Sequence, residues 1–203
     1  MKEVAIINYG AGNLGSLINA IENLNFKPII LNKPEKKNYS HIILPGVGNF
    51  GKLSKNLFEL GFKDYLEGAK INKRFILGIC VGMQLLFDKS EESEDKKGIG
   101  LLTGEIQKFK FEKDKNFPLP HVGFSKVFHT NSKIWKDIPN KSYFYFIHSF
   151  RLKNASNLTS IATSTYGEEF MSFIEKDNIF GAQFHPEKSH KVGLKLINNF
   201  LNF

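Results

Sequence analysis

Short apolar runs, each closed by turn residues, set the rhythm of the first half of the chain. Val4-Ala5-Ile6-Ile7, Pro28-Ile29-Ile30-Leu31, His41-Ile42-Ile43-Leu44 and Phe75-Ile76-Leu77 have strand length and little of the polar alternation of a half-exposed strand. The first three end in Asn8-Tyr9-Gly10, Asn32-Lys33-Pro34 and Pro45-Gly46, which are turn-forming sets. Between them, Leu14, Leu17, Ile18, Ile21 and Leu24 recur at helical spacing, with Asn13 as the expected N-cap. A mostly helical stretch is expected from Phe50 to Ala69, and a further helix from Met83 to Phe87. Strands alternating with helices predict a parallel sheet covered on both faces.

The second half changes character after an acidic run, Glu91 to Lys97, which reads as a solvated loop. Strand-like segments dominate there: Ile106 to Phe111, Val122 to Phe128, Tyr143 to Phe150, Ser160 to Tyr166, Phe170 to Glu175 and Phe180 to Phe184. A helix from about Val192 to Leu201 follows. With no internal repeat, low-complexity stretch or linker, the expectation is one α/β domain over residues 1–203, with an antiparallel or mixed extension.

Composition narrows the function classes. At 203 residues and 41% hydrophobic content the chain can bury a core without disulfides or metal. Its apolar runs are too short to span a bilayer and its start lacks the regions of a signal peptide, so a cytoplasmic protein without a membrane role is expected. The net charge of +8 invites a nucleic-acid reading. Among the 28 basic residues, however, only Arg74 and Arg151 are arginine, the side chain that reads phosphates and guanine edges bidentately. The lysines are scattered and no nucleic-acid-binding motif is present, so no nucleic-acid partner is expected. One cysteine, Cys80, permits neither an internal disulfide nor a cysteine zinc site, and no metal or cofactor is expected.

A lone cysteine is ordinarily a small buried hydrophobe. The surroundings of Cys80 argue otherwise. An apolar strand runs into Gly78-Ile79-Cys80-Val81-Gly82 and leaves as an apolar helix, the cysteine counterpart of a Gly-x-Ser-x-Gly nucleophile elbow. Such a turn puts the sulfur at a helix N-terminus, where backbone N–H groups favour thiolate, and aims the N–H of Val81 at the carbonyl oxygen under attack. A thiolate nucleophile needs a base and an orienter of that base. Gln183-Phe184-His185-Pro186-Glu187 supplies both if it is extended, because Gln183, His185 and Glu187 then share one face. Pro186 would end strand pairing there. The glycine-rich loop Leu44-Pro45-Gly46-Val47-Gly48-Asn49-Phe50-Gly51 follows a strand and exposes N–H groups suited to an oxyanion hole. No Gly-Lys-Ser/Thr follows, so it is not a P-loop.

Those three segments, in this order, resemble the class I, triad-type glutamine amidotransferases. Asn8 to Leu14, Gly82-Met83-Gln84-Leu85-Leu86-Phe87 with Ser90-Glu91-Glu92, Tyr145-Phe146-Ile147-His148-Ser149-Phe150 and Gln183 to Ser189 extend the resemblance over essentially the whole chain. Within the family they are similar to the glutaminase subunits of imidazole glycerol phosphate synthases. The resemblance implies a flavodoxin-like fold with Cys80 as nucleophile, His185 as general base and acid, and Glu187 as orienter. It also implies Val47, Gly48 and Val81 at the oxyanion, and Gly48, Gln84, His148 and Ser149 around L-glutamine. The implied reaction releases glutamate and ammonia, the ammonia passing to a (β/α)₈ cyclase subunit of a heterodimer for imidazole glycerol phosphate and AICAR formation in histidine biosynthesis. Departures occur at Asn8, at Gly15 and in Pro120-His121-Val122-Gly123-Phe124-Ser125, where the family commonly carries Asp, Arg and Pro-His-Met-Gly-Trp-Asn. By resemblance Asn13, Gly15, Phe124 and Tyr145 lie near the partner, so a paralogous glutaminase serving the amidation of a surface sugar stays open. So does a cysteine hydrolase or binding module of similar fold.

Overall fold

The computed structural model describes residues 1–12, 14–111 and 117–203. Its elements run β1 (Glu3–Ile7), α1 (Gly15–Asn23), β2 (Lys27–Leu31), β3 (His41–Leu44), α2 (Phe50–Glu59), α3 (Phe62–Ile71), β4 (Phe75–Ile79) and α4 (Val81–Leu85). There follow β5 (Lys89–Ser90), β6 (Gly104–Lys108), β7 (His121–Lys126), β8 (Phe128–His129), β9 (Tyr143–His148), β10 (Phe150–Ala155), β11 (Ser160–Tyr166), β12 (Glu168–Lys176), β13 (Ile179–Ala182) and α5 (His190–Leu201). The expected N-cap Asn13 lies outside the described residues.

One large sheet runs β2-β1-β3-β4-β13-β12-β10-β6-β5, with β11 joined to β12 and β8 to β11. From β2 to β13 neighbouring strands are parallel; β12, β10 and β6 each pair antiparallel with the strand before them. This is the α/β, mostly parallel arrangement with an antiparallel extension that the sequence pattern predicts, in the flavodoxin-like form that the resemblance implies. A separate ribbon of β7 and β9 pairs His121 with His148 and Phe124 with Tyr145. The buried side chains of both regions belong to one cluster, from Val4 and Ile6 to Phe173 and Phe184.

Several expected boundaries move, each for a local reason. The long helical stretch is two helices, because Gly61 adopts φ +77° and turns the chain between α2 and α3. The segment from Tyr143 to Phe150 is the end of one strand and the start of another, broken at Ser149. The segment from Val122 to Phe128 divides at Val127, which is buried and pairs its N–H with the Ser142 carbonyl at 2.9 Å. β6 stops at Lys108; Phe109 and Phe111 instead stack on each other at 5.8 Å. β13 stops at Ala182, two residues before the expected end.

Register explains where chemistry can sit. Leu44, the last residue of β3, pairs with Gly78, and Ile79, the last of β4, pairs with Ala182, the last of β13. Three adjacent parallel strands therefore finish at one edge. The segments that follow them, Pro45–Gly48, Cys80–Gly82 and Gln183–Glu187, emerge side by side. In open parallel sheets this carboxyl edge is where ligands bind.

Candidate active site

Cys80 occupies a sharp turn between β4 and α4, at φ +53° and ψ −113°, a conformation rare outside glycine. Its neighbours make the turn possible. A Cβ on Gly78 would lie 2.7 Å from the Met83 nitrogen, and one on Gly82 would run into the Leu44 carbonyl, so both must be glycine for α4 to close on β3 and β4. Cys80 N–H bonds the Ala182 carbonyl at 2.7 Å, tying the elbow to β13. The cysteine is 2% exposed, with Sγ 3.7 Å from the Ile147 carbonyl oxygen and 3.8 Å from Gln183 Nε2. α4 has five residues, as many as the predicted helix from Met83 to Phe87, but it begins and ends two residues earlier, directly after the elbow cysteine.

His185 is brought to the sulfur by burial on its other side. Phe184 is fully buried and packs on Phe144, with ring centroids 4.3 Å apart, and on Phe146 and Phe173. In an extended chain this turns Gln183 and His185 the opposite way. His185 N–H bonds the Tyr145 carbonyl at 2.8 Å, and Ser189 Oγ donates to the His185 carbonyl while accepting Tyr145 N–H. Glu187 does not share a strand face with His185, as the extended reading expected. Pro186–Lys188 form a 3₁₀ turn, and that turn swings the carboxylate back onto the ring. His185 Nδ1 and Glu187 Oε1 are 2.7 Å apart, which assigns the proton to Nδ1 and leaves Nε2 for the sulfur.

Nε2 lies just outside hydrogen-bonding geometry to Cys80, yet near enough for the charges to couple. Burial, the largest influence on His185, opposes its charge. The thiolate of Cys80 and then the Glu187 carboxylate outweigh it, and the pKa is pushed up to about 10. His148 is the reverse case. Burial pushes it down to about 3, so it is neutral, with Nδ1 donating to the Phe150 carbonyl at 2.8 Å. That proton placement makes Nε2 of His148 an acceptor, filled by His121 Nδ1 at 3.3 Å; His121 Nε2 then accepts from Ser125 Oγ at 2.9 Å.

A cavity of about 230 Å³ opens on Cys80, amino-acid-sized beside the roughly 300–1,000 Å³ that holds larger ligands. Val47, Gly48, Val81, Gln84, His148 and Ser149 all line it. His185 and Glu187 do not; they stand behind the sulfur. A larger hollow of about 770 Å³, lined by Lys70, Ile71, Phe75, Leu101 and Asp177, lies at the opposite end of β4 from Cys80.

Three details depart from expectation. Val81 N–H does not face an incoming oxygen in this arrangement: it donates, at 3.4 Å, to the Gly46 carbonyl, and Val47 N–H donates to the Ala11 carbonyl at 3.1 Å. Both amides become free only if the Pro45–Gly48 loop turns. Gln84 is buried and its amide NH₂ is already committed to the Phe150 carbonyl and Gln183 Oε1, each at 3.0 Å, so only its oxygen remains for a ligand. Glu92, read as part of a solvated loop, lines the cavity and caps α2 by accepting Phe50 N–H at 2.8 Å. No periodicity marks it in the sequence. Its place beside Ser90-Glu91 in the family-like run was the available signal. Among the described residues no group of three or more His, Cys, Asp or Glu is placed to hold a metal ion, and no helix is long and apolar enough to cross a membrane.

The family model described as "Glutamine amidotransferase class-I" matches residues 5–202. The chain is 44% identical over 204 residues to the imidazole glycerol phosphate synthase subunit HisH of Methanocaldococcus jannaschii, covering 98% of each chain. It is 42% identical over 201 residues to subunit HisH 2 of Methanococcus maripaludis, again covering 98% of both. Among solved structures, PurLQS from Thermotoga maritima superposes with a TM-score of 0.77 at 21% identity, covering all of this chain and 99% of the other.

Proposed function

The chain belongs to the class-I glutamine amidotransferases, and from that premise we propose that residues 1–203 work as one domain, the glutaminase subunit of an imidazole glycerol phosphate synthase in histidine biosynthesis. The observation that carries the chemistry is the line from Glu187 through His185 toward the sulfur of an elbow cysteine at the floor of an amino-acid-sized cavity. His185 holds the proton of Cys80, and the thiolate attacks the side-chain amide carbon of L-glutamine. His185 returns the proton to the leaving nitrogen, ammonia departs, and a thioester joins glutamate to Cys80. Water, activated by the same imidazole, then releases glutamate. Glu187 keeps the ring in the tautomer that faces sulfur. Glu92 is the one carboxylate among the described residues lining the cavity, suited to a substrate ammonium group.

The resting loop supports a coupled enzyme. With Val81 N–H held by Gly46, the oxyanion of the tetrahedral intermediate lacks a donor, a loss worth about 10²–10³ in turnover. A partner raises activity only if it binds the turned loop better than the resting one. The surface near the cavity suits such a partner: Val47, Val122, Phe124 and Tyr143 are apolar and 45–56% exposed, on the loop and on the outer face of the β7–β9 ribbon. A (β/α)₈ cyclase docked there would receive ammonia without its passage through solvent.

The test is glutamine hydrolysis by the chain alone and with its native cyclase, together with growth of a strain lacking its own glutaminase subunit in which the two are co-expressed. Slow hydrolysis alone, strong stimulation by the ligand-bound cyclase and restored growth without histidine are expected. In the same assay Glu92→Gln should raise KM. Stimulated hydrolysis without restored growth would direct the chain to another ammonia acceptor, such as a surface sugar.

A further inference from the structure

Gln183 is fully buried and does not line the cavity, so it is no ligand of glutamine, yet its amide touches the sulfur. Which end touches is fixed by a chain of donors. The Phe150 carbonyl can only accept, so the Gln84 group 3.0 Å from it is NH₂. The second hydrogen of that NH₂ points at Gln183, which must therefore present Oε1, at 3.0 Å. Gln183 is left with its own NH₂ toward Cys80 Sγ, at 3.8 Å. Backbone anchors the residue as well, Gln183 N–H donating to the Ser172 carbonyl at 2.9 Å.

The sulfur thus stands between two unlike neighbours. The Ile147 carbonyl oxygen, 3.7 Å away, accepts from a thiol S–H and repels a thiolate. The Gln183 NH₂ does the opposite, since it donates to a negative sulfur and gains nothing comparable from an S–H. When the proton leaves for His185, the first contact turns unfavourable and the second strengthens.

We propose that Gln183 is a positioning residue for the nucleophile, an amide that holds the thiolate of Cys80 in place and favours its formation. It acts through Cys80 and takes no part in binding glutamine. Gln84, fixed by Phe150, in turn keeps the Gln183 amide from flipping its oxygen toward the sulfur. Contact between the cavity wall and the sulfur is thereby continuous from the Phe150 carbonyl to Cys80. This inference rests on Cys80 being the nucleophile.

The test reads the pH dependence of iodoacetamide labelling at Cys80, together with kcat and KM for glutamine in the presence of the cyclase. Gln183→Met keeps the volume and removes the donor. Its half-maximal labelling should move up by about one pH unit and kcat should fall roughly tenfold to a hundredfold, the range for losing a hydrogen bond to a charged group, with KM little changed. Gln183→Glu keeps the oxygen that Gln84 needs but turns an acceptor toward sulfur, and should shift labelling at least as far. Should Gln183→Met fold poorly by thermal melting, this second variant carries the test. Labelling profiles and kcat equal to the parent's in a folded variant would reduce Gln183 to core packing and overturn the proposal. A parent that is not labelled at Cys80 would instead overturn the glutaminase reading beneath it.

Discussion

Strands β1, β3 and β4 are buried along nearly their whole length, whereas β7, β9 and β11 alternate between buried and more exposed positions. The two regions consequently contribute to the site in different ways. A parallel strand covered on both faces has no side chain to spare, so its chemistry appears where it ends: the Pro45–Gly48 loop after β3 and the Cys80 elbow after β4. An antiparallel strand with two unlike faces works along its length. On β7 and β9, His121, Phe146 and His148 turn inward toward the cavity wall, while Val122, Phe124 and Tyr143 stay at the surface. The parallel half supplies nucleophile, loop and, after β13, the base. The antiparallel half supplies the wall, and its Tyr145, together with Ser189 ahead of α5, fixes the base.

The strongest way to break this division is to remove the base. His185→Ala should lower glutamine hydrolysis by on the order of 10⁴-fold or more, nearly as far as loss of the nucleophile, and Glu187→Gln by one to two orders less, because Glu187 orients without reacting. Steady-state kinetics with the cyclase present reads both. Near-normal turnover in His185→Ala would show that the segment after β13 contributes no base.

A smaller effect separates the histidines by pH. Burial lowers His121 to about 4 and His148 to about 3, and His41, in the parallel half, to about 4. Each is neutral in the fold and gains a proton near pH 6.5 when unfolded. Their penalty is absent above pH 6.5 and grows as pH falls toward the folded values, by about 1.4 kcal/mol per unit for each residue. His185 has the opposite sign: its contribution is full below pH 6.5 and is lost as pH climbs through about 10. Denaturant midpoints followed from pH 7 down to about pH 4 should fall steeply in the parent and less so in a His121→Gln, His148→Asn double variant. An unchanged slope would show that these rings do not titrate with unfolding.

Legibility in the sequence follows the same line between regions. In the parallel half the apolar runs found β1, β2, β3 and β4 to within two residues. For β1, β3 and β4 the reason is that a strand buried on both faces leaves a continuous hydrophobic run, while the edge strand β2 shows the same run with only Leu31 buried. Cys80, His185 and Glu187 were legible too, since an elbow needs glycines at fixed offsets and a base needs a partner close in sequence. The antiparallel boundaries shifted because aromatic residues such as Phe109, Phe111 and Phe184 read as strand while packing outside it. Glu92 stayed hidden, as its role comes from the chain folding back on α2. The hold of Gly46 on Val81 was likewise beyond reach, because a carbonyl's direction is set by the loop's tertiary contacts with Ala11 and Tyr9, whose hydroxyl donates to the Pro45 carbonyl at 2.5 Å.

The central claim is that Cys80 alone generates the ammonia the partner consumes. The direct measurement follows isotope-labelled amide nitrogen from glutamine into the product of the cyclase, in the parent complex and in Cys80→Ala, with ammonium salts as the alternative nitrogen source. The parent should incorporate nitrogen from glutamine and from ammonium. Cys80→Ala should lose the first completely and keep the second near the parent's rate. Continued transfer from glutamine in Cys80→Ala, or equal loss from both sources, would contradict the account.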